Sequence, residues 1–498
     1  MTGQDVKKEA VAFAQQAEQF LADGDAAKAR VAAAKAVSLE PKNSYAQAQF
    51  GQALLRLGQP QEAIAAFQVA LEGAQDMAPL HLLLGNAFRA AGDNTRAVPA
   101  YERTVELAPD MAGAWRNLGL ALLGAGRASE ATVKLRQACA LEPSSAANWN
   151  SLGAALHAEG AVPAALCAFV EAARNAGADT REGIRARWNE SLLRLLTGDM
   201  ARGWPLYAYR RDGPSGGGPA PFGLNVLTQM PLPGMRVLVT VEQGLGDIIM
   251  ILRFLPLLAA EGVRIVMQRP ASMRRLLADY PCVESFLDED GPVPPVDGVL
   301  PCMSLPGLFV KQAGHVPGAV PYLRADPALA GHWEGRLATA SGLRVGFVWA
   351  GNPDNARDLE RSLRLEQVLP LMSMTGVSPV VIQVGGGRRE LANHPLPPGT
   401  IDLGGGISDL ADTVAILSRL DVLVSCCTLP AHLAGAVGIA TNILITAVPD
   451  WRWGLGRAQT AWYPSARLFR QPRPGDWSEP LADVARDLTL RIGAGRRR

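Results

Sequence analysis

The sequence lacks an excess of charge of either sign, and it lacks long hydrophobic runs. Its 498 residues include 48 lysines and arginines against 47 aspartates and glutamates, a net charge of +1. This balance provides no broad positive surface, so we expect no nucleic-acid partner. Charged residues, glycine or proline interrupt each apolar stretch before the roughly 18–20 residues that a membrane helix needs, and the first residues lack the apolar core of a signal peptide. We therefore expect a cytoplasmic protein without membrane insertion.

Cysteine is scarce as well. The chain has six cysteines; Cys426 and Cys427 are adjacent, and none of the six forms a Cys-x-x-Cys pair. This usage argues against a disulfide framework and against a zinc site, so we expect reduced thiols and no bound metal. At roughly 100–200 residues per domain, the length predicts about three domains.

Small residues recur at a constant spacing of 34 residues in the amino-terminal third. Two glycines and an alanine repeat four times in register, at Gly51, Gly58 and Ala63, Gly85, Gly92 and Ala97, Gly119, Gly126 and Ala131, and Gly153, Gly160 and Ala165. A fixed period of this length indicates a solenoid of supersecondary units. Within residues 112–145, the helical spacing of the apolar residues predicts two amphipathic helices in each unit, separated by the second glycine.

The repeat pattern resembles the tetratricopeptide repeat, over about residues 10–179. Trp115 and Trp149 occupy the fourth position of their units, and prolines end the units. The resemblance implies a helical superhelix with both tryptophans in its core and a concave groove that binds peptide segments. Residues 180–213 leave the period and are expected to cap the array, which makes 1–213 the first domain.

The composition changes after the array. Residues 214–234 are rich in Gly and Pro, and we interpret them as a linker that forms no packed element. Short apolar runs followed by helices then predict parallel strands at 237–241, 263–267, 343–349, 380–384, 421–425 and 442–445. They indicate two Rossmann-like domains, 235–340 and 341–498. The expected fold class is therefore α plus α/β, with ligands at the carboxyl ends of the strands.

A glycine turn follows the first of these strands. Gly244, Gly246 and Asp247 stand between that strand and a helix, where backbone can approach a ligand closely. The alternative interpretation is that Asp247 only caps the helix. The turn lacks the full Gly-x-Gly-x-x-Gly pattern, so a dinucleotide site is not indicated.

Seven motifs of the second half carry a family resemblance. They are EQGLGD (242–247), WAGNP (349–353), RSL (361–363), DLADT (409–413), TLPAHLAGA (428–436), DWRW (450–453) and WYPSARLFRQ (462–471). In this order they resemble the GT-B glycosyltransferase half of bacterial tetratricopeptide-repeat glycosyltransferases. That half is similar to the ADP-heptosyltransferases, and the layout of the chain is similar to that of the O-GlcNAc transferases.

The resemblance implies transfer of a sugar from a nucleotide-sugar donor, without metal or other cofactor. It makes Asp247 the candidate general base, Arg361 the cation that neutralises the leaving group, and His432 a partner of the phosphate or the leaving group. For Arg361 the alternative is a solvated loop arginine, with Arg357 and Arg364 as competitors. For His432 the alternative is a packed residue at a helix start.

The resemblance also implies a set of donor-binding residues around a helix start. They are Gly244, Gly246, Asn352, Ser362, Gln383, Cys427, Thr428, Leu429 and Pro430. Relatives have Asp where this chain has Cys427, which leaves the sugar, or activity itself, open. The acidic run 288–290 resembles the DxD metal motif of the other glycosyltransferase fold, but its position favours a solvated turn.

Three functions remain open at this point. The first is a glycosyltransferase whose repeat array docks a protein acceptor; the layout is similar to that of enzymes that modify flagellin, which makes flagellin Ser/Thr the favoured acceptor. The second is a glycosyltransferase acting on lipopolysaccharide or another glycan. The third is a catalytically degenerate scaffold. The asparagine ladder of the O-GlcNAc transferases is largely absent, because the equivalent positions are Gln49, Leu83, Asn117 and Ser151.

Overall fold

The computed structural model describes residues 3–212, 221–288, 291–355 and 358–495, and the chain divides into two compact units, Met1–Arg187 and Trp188–Arg498. The division falls inside helix α11 (Arg181–Thr197), well before the expected domain limit at residue 213. Residues 214–220 of the expected linker lie outside the described residues.

The first unit is built from helices that pack mainly against their neighbours in sequence. Asp25, Asn43 and Asp93 accept a backbone N–H bond at three of the helix starts, as N-cap residues do. The arrangement confirms the predicted units of two helices. The helices are α1 (Gly3–Ala22), α2 (Ala26–Leu39), α3 (Ser44–Arg56), α4 (Pro60–Glu72), α5 (Ala78–Ala90), α6 (Asn94–Leu107), α7 (Ala112–Gly124), α8 (Ala128–Leu141), α9 (Ala146–Ala158) and α10 (Val162–Arg174).

The repeating glycines have two different structural roles. A Cβ atom at the first glycine of a unit would lie 2.4–2.6 Å from a side chain of the partner helix, as at Gly119 against Leu135. The second glycine has a φ of 75–80°, as at Gly126, and this left-handed residue follows the end of the first helix. The first glycine therefore permits the close approach that the sequence predicts, and the second allows the chain to turn.

The tryptophans of the repeats do not lie in the core. Trp115 and Trp149 are half-buried, and their indole N–H groups donate to the carbonyls of Pro109 (2.8 Å) and Pro143 (2.7 Å) at the ends of the preceding units. The prediction that both rings are core residues was wrong. Because the polar edge of an indole needs a partner, each ring lies at the junction between units.

The second unit contains two parallel sheets. The first has the strand order β3-β2-β1-β4 and the second the order β10-β9-β8-β5-β6-β7. Val, Ile and Leu dominate the central strands, which are buried as expected for parallel sheets covered on both faces. The strands are β1 (Arg236–Thr240), β2 (Arg264–Arg269), β3 (Val283–Asp288), β4 (Gly298–Pro301), β5 (Leu343–Val348), β6 (Val377–Val381), β7 (Ile401–Asp402), β8 (Val422–Cys426), β9 (Ala440–Ile445) and β10 (Ala466–Arg470).

Each of the six predicted strands is present, with ends shifted by up to three residues. The largest shift concerns the run 380–384, since β6 ends at Val381 and Gln383 therefore lies beyond the strand. The helices of this unit after α11 are α12 (Met200–Tyr207), α13 (Leu245–Ile251), α14 (Leu255–Ala260), α15 (Leu305–Phe309), α16 (Pro327–Arg336), α17 (Asp358–Arg361), α18 (Leu365–Met372), α19 (Leu410–Leu417), α20 (Leu429–Val437) and α21 (Ser478–Gly495).

Part of the Gly/Pro-rich stretch is an ordered edge of the first sheet. Val226 forms a parallel bridge with Val299 of β4, because the Leu227 N–H donates to the Val299 carbonyl and the Val299 N–H donates to the Asn225 carbonyl, both at 2.8 Å. The expectation that residues 214–234 form no packed element was therefore wrong for these residues.

Residues after Arg187 belong to the second unit by their contacts. The Trp204 indole donates to the Val310 carbonyl (2.9 Å), and its ring meets that of Trp451 edge to face at 5.4 Å. Tyr207 also contacts Trp451, at 5.8 Å. The segment expected to cap the repeat array therefore contributes side chains to the core of the α/β unit. Among the described residues, no helix is long and apolar enough to cross a membrane.

Candidate functional site

A cavity of about 1030 Å³ lies within the second unit. Its walls come from the segments that follow the carboxyl ends of β1 in the first sheet and of β5, β6, β8 and β9 in the second. This is where ligands of parallel sheets bind. Of the predicted site residues, all but Ser362 line it: Asp247, Arg361, His432, Gly244, Gly246, Asn352, Gln383, Cys427, Thr428, Leu429 and Pro430.

The glycine turn holds Asp247 from two sides. Gly244 is the N-cap of α13, and its N–H donates to Asp247 Oδ2 at 3.0 Å. The other oxygen, Oδ1, accepts from the guanidinium of Arg452. The two interpretations of Asp247 are thus combined in one side chain, because it caps the turn and also faces the cavity. Gln243, before the turn, has a left-handed φ of 63°.

Arg452 is a central residue of the site that the sequence did not single out. Its Nη1 donates to Asp450 Oδ1 at 2.7 Å, and its Nη2 contacts Asp247 and, at 3.4 Å, Gln243 Oε1. The guanidinium lies over the Trp451 ring at 4.3 Å. Only 9% of its side chain is exposed. The signal in the sequence was the charged and aromatic run at 450–453, which the resemblance included without a role.

His432 is buried in α20 against the glycine turn. A Cβ on Gly246 would lie 2.9 Å from His432 Cδ2, so glycine is needed at this contact. The ring shares a hydrogen bond of 2.9 Å between Nδ1 and the Tyr463 hydroxyl and lies 5.4 Å from the Trp453 ring. Burial lowers the pKa of His432 to about 4. The imidazole is therefore neutral at physiological pH.

Arg361 faces the cavity but already has a carboxylate partner. Its Nε donates to Asp358 Oδ1 at 3.1 Å and its Nη1 to the Cys427 carbonyl at 3.2 Å. Ser362 lies behind it, accepting from the Gly351 N–H and donating to Asp358 Oδ2, both at 2.9 Å. Ser362 therefore supports the loop after β5 and does not face the cavity. Of the competitors, Arg364 is exposed and pairs with Glu366, and Arg357 lies outside the described residues.

The start of α20 forms one wall of the cavity. Thr428 is the N-cap, and Leu429 and Pro430 begin the first turn. Proline has no N–H and the Ala431 N–H donates to the Thr428 carbonyl at 3.0 Å, so Leu429 provides the backbone N–H at this helix start, a position that favours anions. The Cys427 thiol accepts from the Trp453 indole at 2.9 Å. Burial raises the pKa of Cys427 to about 11, so the thiol is protonated. The side chain at position 427 is therefore neutral.

The amide oxygens of Gln383 and Asn352 accept hydrogen bonds from backbone N–H groups of the protein. Gln383 Oε1 accepts from the backbone N–H groups of Trp349 and Ala350 at 3.0 Å, and its Nε2 donates to the Ala350 and Val384 carbonyls at 3.0 and 2.8 Å. Its amide braces the loop after β5. Asn352 is exposed and accepts from the Asp354 N–H at 3.1 Å.

Two residues from the segment after the repeats support the glycine turn. Arg210 Nε and Nη2 hold the two oxygens of Glu242 at 3.0 and 2.6 Å, and the Tyr207 hydroxyl accepts from Gln243 Nε2 at 3.1 Å. Sequence reasoning missed both, because their partners are more than thirty residues away in the chain.

The acidic run 288–290 is described only at its first residue. Asp288 pairs with Arg269 at 3.0 Å and Arg274 at 3.4 Å, while residues 289 and 290 lie outside the described residues. Within the described part of the chain, no group of three or more His, Cys, Asp or Glu residues is placed to hold a metal ion.

Family models match the first unit. The tetratricopeptide-repeat family matches residues 20–87 and 82–134. Protein FlbA of Caulobacter vibrioides is 25% identical over an alignment of 364 residues that covers 66% of this chain and 59% of that protein. The chain therefore spans less than two thirds of the length of this curated relative.

Three solved structures match 34–42% of the chain. A structure of MamA is 21% identical, covering 34% of this chain and 92% of that one, with a TM-score of 0.32. PilF of Pseudomonas aeruginosa is 16% identical, covering 42% and 90%, with a TM-score of 0.35. YrrB, described as a TPR protein with an unusual peptide-binding site, is 19% identical, covering 38% and 98%, with a TM-score of 0.33. The family matches establish that the amino-terminal part of the chain consists of tetratricopeptide repeats.

Proposed function

We propose that this protein is a metal-independent glycosyltransferase of the GT-B type, which moves a sugar from a nucleotide-sugar donor to a protein acceptor bound by the repeat array. The observation that carries the proposal is a cavity of about 1030 Å³ lined by the carboxyl-end segments of both parallel sheets. Its volume is within the range of ligand and cofactor sites, at the upper end. It suits a ligand as large as a nucleotide sugar.

The two ends of the cavity fit the two halves of such a reaction. The α20 helix start and Arg361 provide N–H donors on the side of the six-stranded sheet, where a diphosphate would lie. Asp247 follows the first sheet and provides a carboxylate that can take the proton of an attacking hydroxyl. In this proposal the Leu429 N–H and the Arg361 guanidinium donate hydrogen bonds to the leaving diphosphate in place of a metal ion.

The repeat array is the reason for proposing that the acceptor is a protein. Tetratricopeptide arrays present grooves that bind peptide segments. Here the positions of the asparagine ladder do not offer a row of free amides, since Gln49 is buried and the Ser151 hydroxyl donates to the Ala147 carbonyl at 2.8 Å. Recognition would use other residues of the groove. Flagellin is the acceptor we propose to test first.

Two measurements test the proposal. The full chain is titrated calorimetrically with UDP, GDP, ADP and CMP, and with nucleotide sugars that contain them. We expect one nucleotide to bind far more tightly than the others. Flagellin and total protein from cells with and without the chain are then compared by mass spectrometry. A sugar mass found on a protein only when the cells contain this chain supports transfer to protein. A change confined to glycans supports a glycosyltransferase that acts on lipopolysaccharide or another glycan. Absence of any nucleotide binding contradicts the proposal and favours a scaffold.

A further inference from the structure

His432 has one ring nitrogen that opens into the cavity. Its Nδ1 is hydrogen-bonded to the Tyr463 hydroxyl at 2.9 Å, whereas its Nε2 has no partner among the residues that the structure describes. Unlike Arg452 Nε, this atom is not shut off from solvent, although only 7% of the residue is exposed. The Cδ2–Nε2 edge faces the glycine turn, since a Cβ on Gly246 would lie 2.9 Å from Cδ2 and 3.5 Å from Nε2. Because both His432 and Gly246 line the cavity, a ligand can reach Nε2.

Tyr463 is held in one position beside this ring. The residue is fully buried, and its ring packs so closely on α20 that it leaves no room for a Cβ on Gly435. Gly435 lies about one helical turn after His432 in the same helix. The His432 and Tyr463 rings meet edge to face, with centroids 5.7 Å apart. The hydroxyl therefore approaches Nδ1 from a fixed direction and holds the orientation of the imidazole.

The hydroxyl proton of Tyr463 determines which nitrogen of His432 carries hydrogen. The nearby Tyr322 hydroxyl forms no hydrogen bond within the described part of the chain, so Nδ1 is the acceptor for Tyr463 there. A buried O–H without an acceptor costs free energy, and Tyr463 therefore donates to Nδ1. Burial lowers the pKa of His432 to about 4 and raises the pKa of Tyr463 well above its usual value, so both groups are neutral. A neutral imidazole carries one hydrogen, which is then on Nε2.

The surroundings of Nε2 indicate which ligand atom it binds. The Leu429 N–H and the Arg361 guanidinium line the same cavity and donate to the diphosphate in the proposed function. Asp247, which would activate the acceptor hydroxyl, lies on the glycine turn that His432 contacts. Because His432 belongs to α20 and packs on that turn, Nε2 lies where the two sides meet. The phosphate attached to the transferred sugar would lie there.

We infer that Tyr463 is a positioning residue that holds His432 as an Nε2–H donor to the leaving phosphate of the nucleotide sugar. This inference rests on the proposed function. The hydrogen bond becomes stronger as the phosphate leaves, because its oxygen gains negative charge. With hydrogen on Nε2 and Nδ1 bonded to Tyr463, the imidazole cannot take a proton from the acceptor hydroxyl. That step is left to Asp247.

The position of the hydrogen on His432 can be measured without any ligand. In the full chain with ¹⁵N-labelled histidine, NMR distinguishes a ring nitrogen that carries hydrogen from one that does not. Comparison with His432→Gln identifies the His432 signals among those of the six histidines. We expect hydrogen on Nε2. Hydrogen on Nδ1 would overturn the inference, because Nε2 would then have nothing to donate.

Nucleotide binding tests the contact with phosphate. UDP, GDP and ADP and the corresponding monophosphates are titrated calorimetrically into wild type, Tyr463→Phe and Tyr280→Phe. For the diphosphate that wild type binds, we expect Tyr463→Phe to raise the Kd about 5–10-fold, the size of one hydrogen bond. The Kd of its monophosphate should stay within about twofold, because the monophosphate lacks the leaving phosphate.

Tyr280→Phe is the matched control, because it removes the hydroxyl of another buried tyrosine, whose partner is the Leu252 carbonyl at 3.1 Å. Its affinities should equal those of wild type. An unchanged diphosphate Kd in Tyr463→Phe would overturn the inference. So would an equal loss of diphosphate and monophosphate affinity, which would make Tyr463 a structural residue. If wild type binds none of the three diphosphates, the leaving diphosphate of the proposed function is contradicted instead, so the two failures are distinguishable.

Discussion

Gly246 and His432 are in such close contact that glycine is required at position 246. A Cβ atom there would be 2.9 Å from the imidazole Cδ2, and the ring cannot retreat easily because Tyr463 and Trp453 pack on its other sides. The glycine turn of the first sheet thus contacts a helix of the second. This contact buries His432 and brings it to the same cavity as Asp247.

The stability of the protein should depend on pH through His432. Burial lowers its pKa from 6.5 to about 4, so between these values the unfolded chain takes up a proton here and the folded chain does not. This contribution to stability is fully present above pH 6.5 and is lost as the pH falls toward 4. His432→Gln should therefore show a smaller fall in Tm than wild type between pH 7 and 4.5. His332→Gln, at an exposed histidine, should follow wild type; identical curves for all three would contradict the argument.

Asp247→Asn should lower turnover about 10²–10⁴-fold, because the amide cannot take the hydroxyl proton. Its Oδ1 can still accept from Arg452, but the amide nitrogen cannot accept from the Gly244 N–H and Arg452 loses one of its two carboxylates, so we expect a lower Tm with a nucleotide affinity that changes little. Steady-state kinetics and calorimetry measure both effects. Asp326→Asn is a suitable control, since Asp326 caps α16 and asparagine caps a helix equally well. Turnover like that of wild type in Asp247→Asn would remove the residue from the mechanism.

Arg361→Gln should weaken nucleoside diphosphate binding. A hydrogen bond to a charged group contributes about 1.5–3 kcal/mol, which corresponds to an increase in Kd of roughly 10–100-fold. The variant also removes the partner of buried Asp358, so the titration is paired with a thermal melt. Arg364→Gln, at an arginine whose side chain is 74% exposed, should bind as wild type does. Equal affinities in the two variants would exclude Arg361 as a phosphate contact.

Cys427 should resist alkylation at neutral pH. Its side chain is half-buried. Desolvation raises the pKa of the thiol to about 11, and only the thiolate reacts with iodoacetamide. Cys167 is exposed and should be labelled first in the same sample. Peptide mapping by mass spectrometry after treatment at pH 7.5 compares the two residues directly. Labelling of Cys427 at the rate of Cys167 would show an accessible thiolate and contradict the neutral side chain described above.

A chain that begins at residue 231 should be unstable, whereas one that begins at residue 180 should fold. The shorter chain lacks Arg210, which leaves the Glu242 carboxylate without its partner, and it lacks Trp204 and Tyr207, which cover Trp451. Loss of one partner of a buried ion pair costs about 3–5 kcal/mol. Size-exclusion chromatography and thermal melts of the two chains decide the question. Equal stability would show that residues 188–212 are dispensable.

The repeating units and the strands could be predicted because their signals are local. The 34-residue period and the geometry of paired helices are enough to predict the contact between Gly119 and Leu135. Apolar runs identify β1 and β5 whichever strands they pair with. Because ligands of parallel sheets bind at the carboxyl ends of the strands, the predicted strands also indicated where the cavity lies. Trp115 and Trp149 were wrongly predicted to lie in the core. Their indole groups donate to backbone carbonyls, and such partners cannot be recognised from the amino-acid sequence.

The arrangement within the site could be predicted only in part. Asp247, Arg361 and His432 do line one cavity, but their partners depend on tertiary contacts between distant segments. Arg452 lies 205 residues from Asp247, and no spacing rule connects them. The same is true of Gln383, which lines the cavity but whose amide is bonded to the backbone that follows a neighbouring strand.

The matched charges around the cavity have a consequence for how fast a ligand binds. Arg361 pairs with Asp358, Arg452 with Asp247 and Asp450, and Arg210 with Glu242. Since the arginines named above are all paired, the described part of the site exerts weak long-range attraction on an anionic nucleotide. Collisions are then steered little, and the association rate depends little on ionic strength. Differences in affinity among nucleotides then arise from contacts made after the first encounter, so they are differences in the dissociation rate constant.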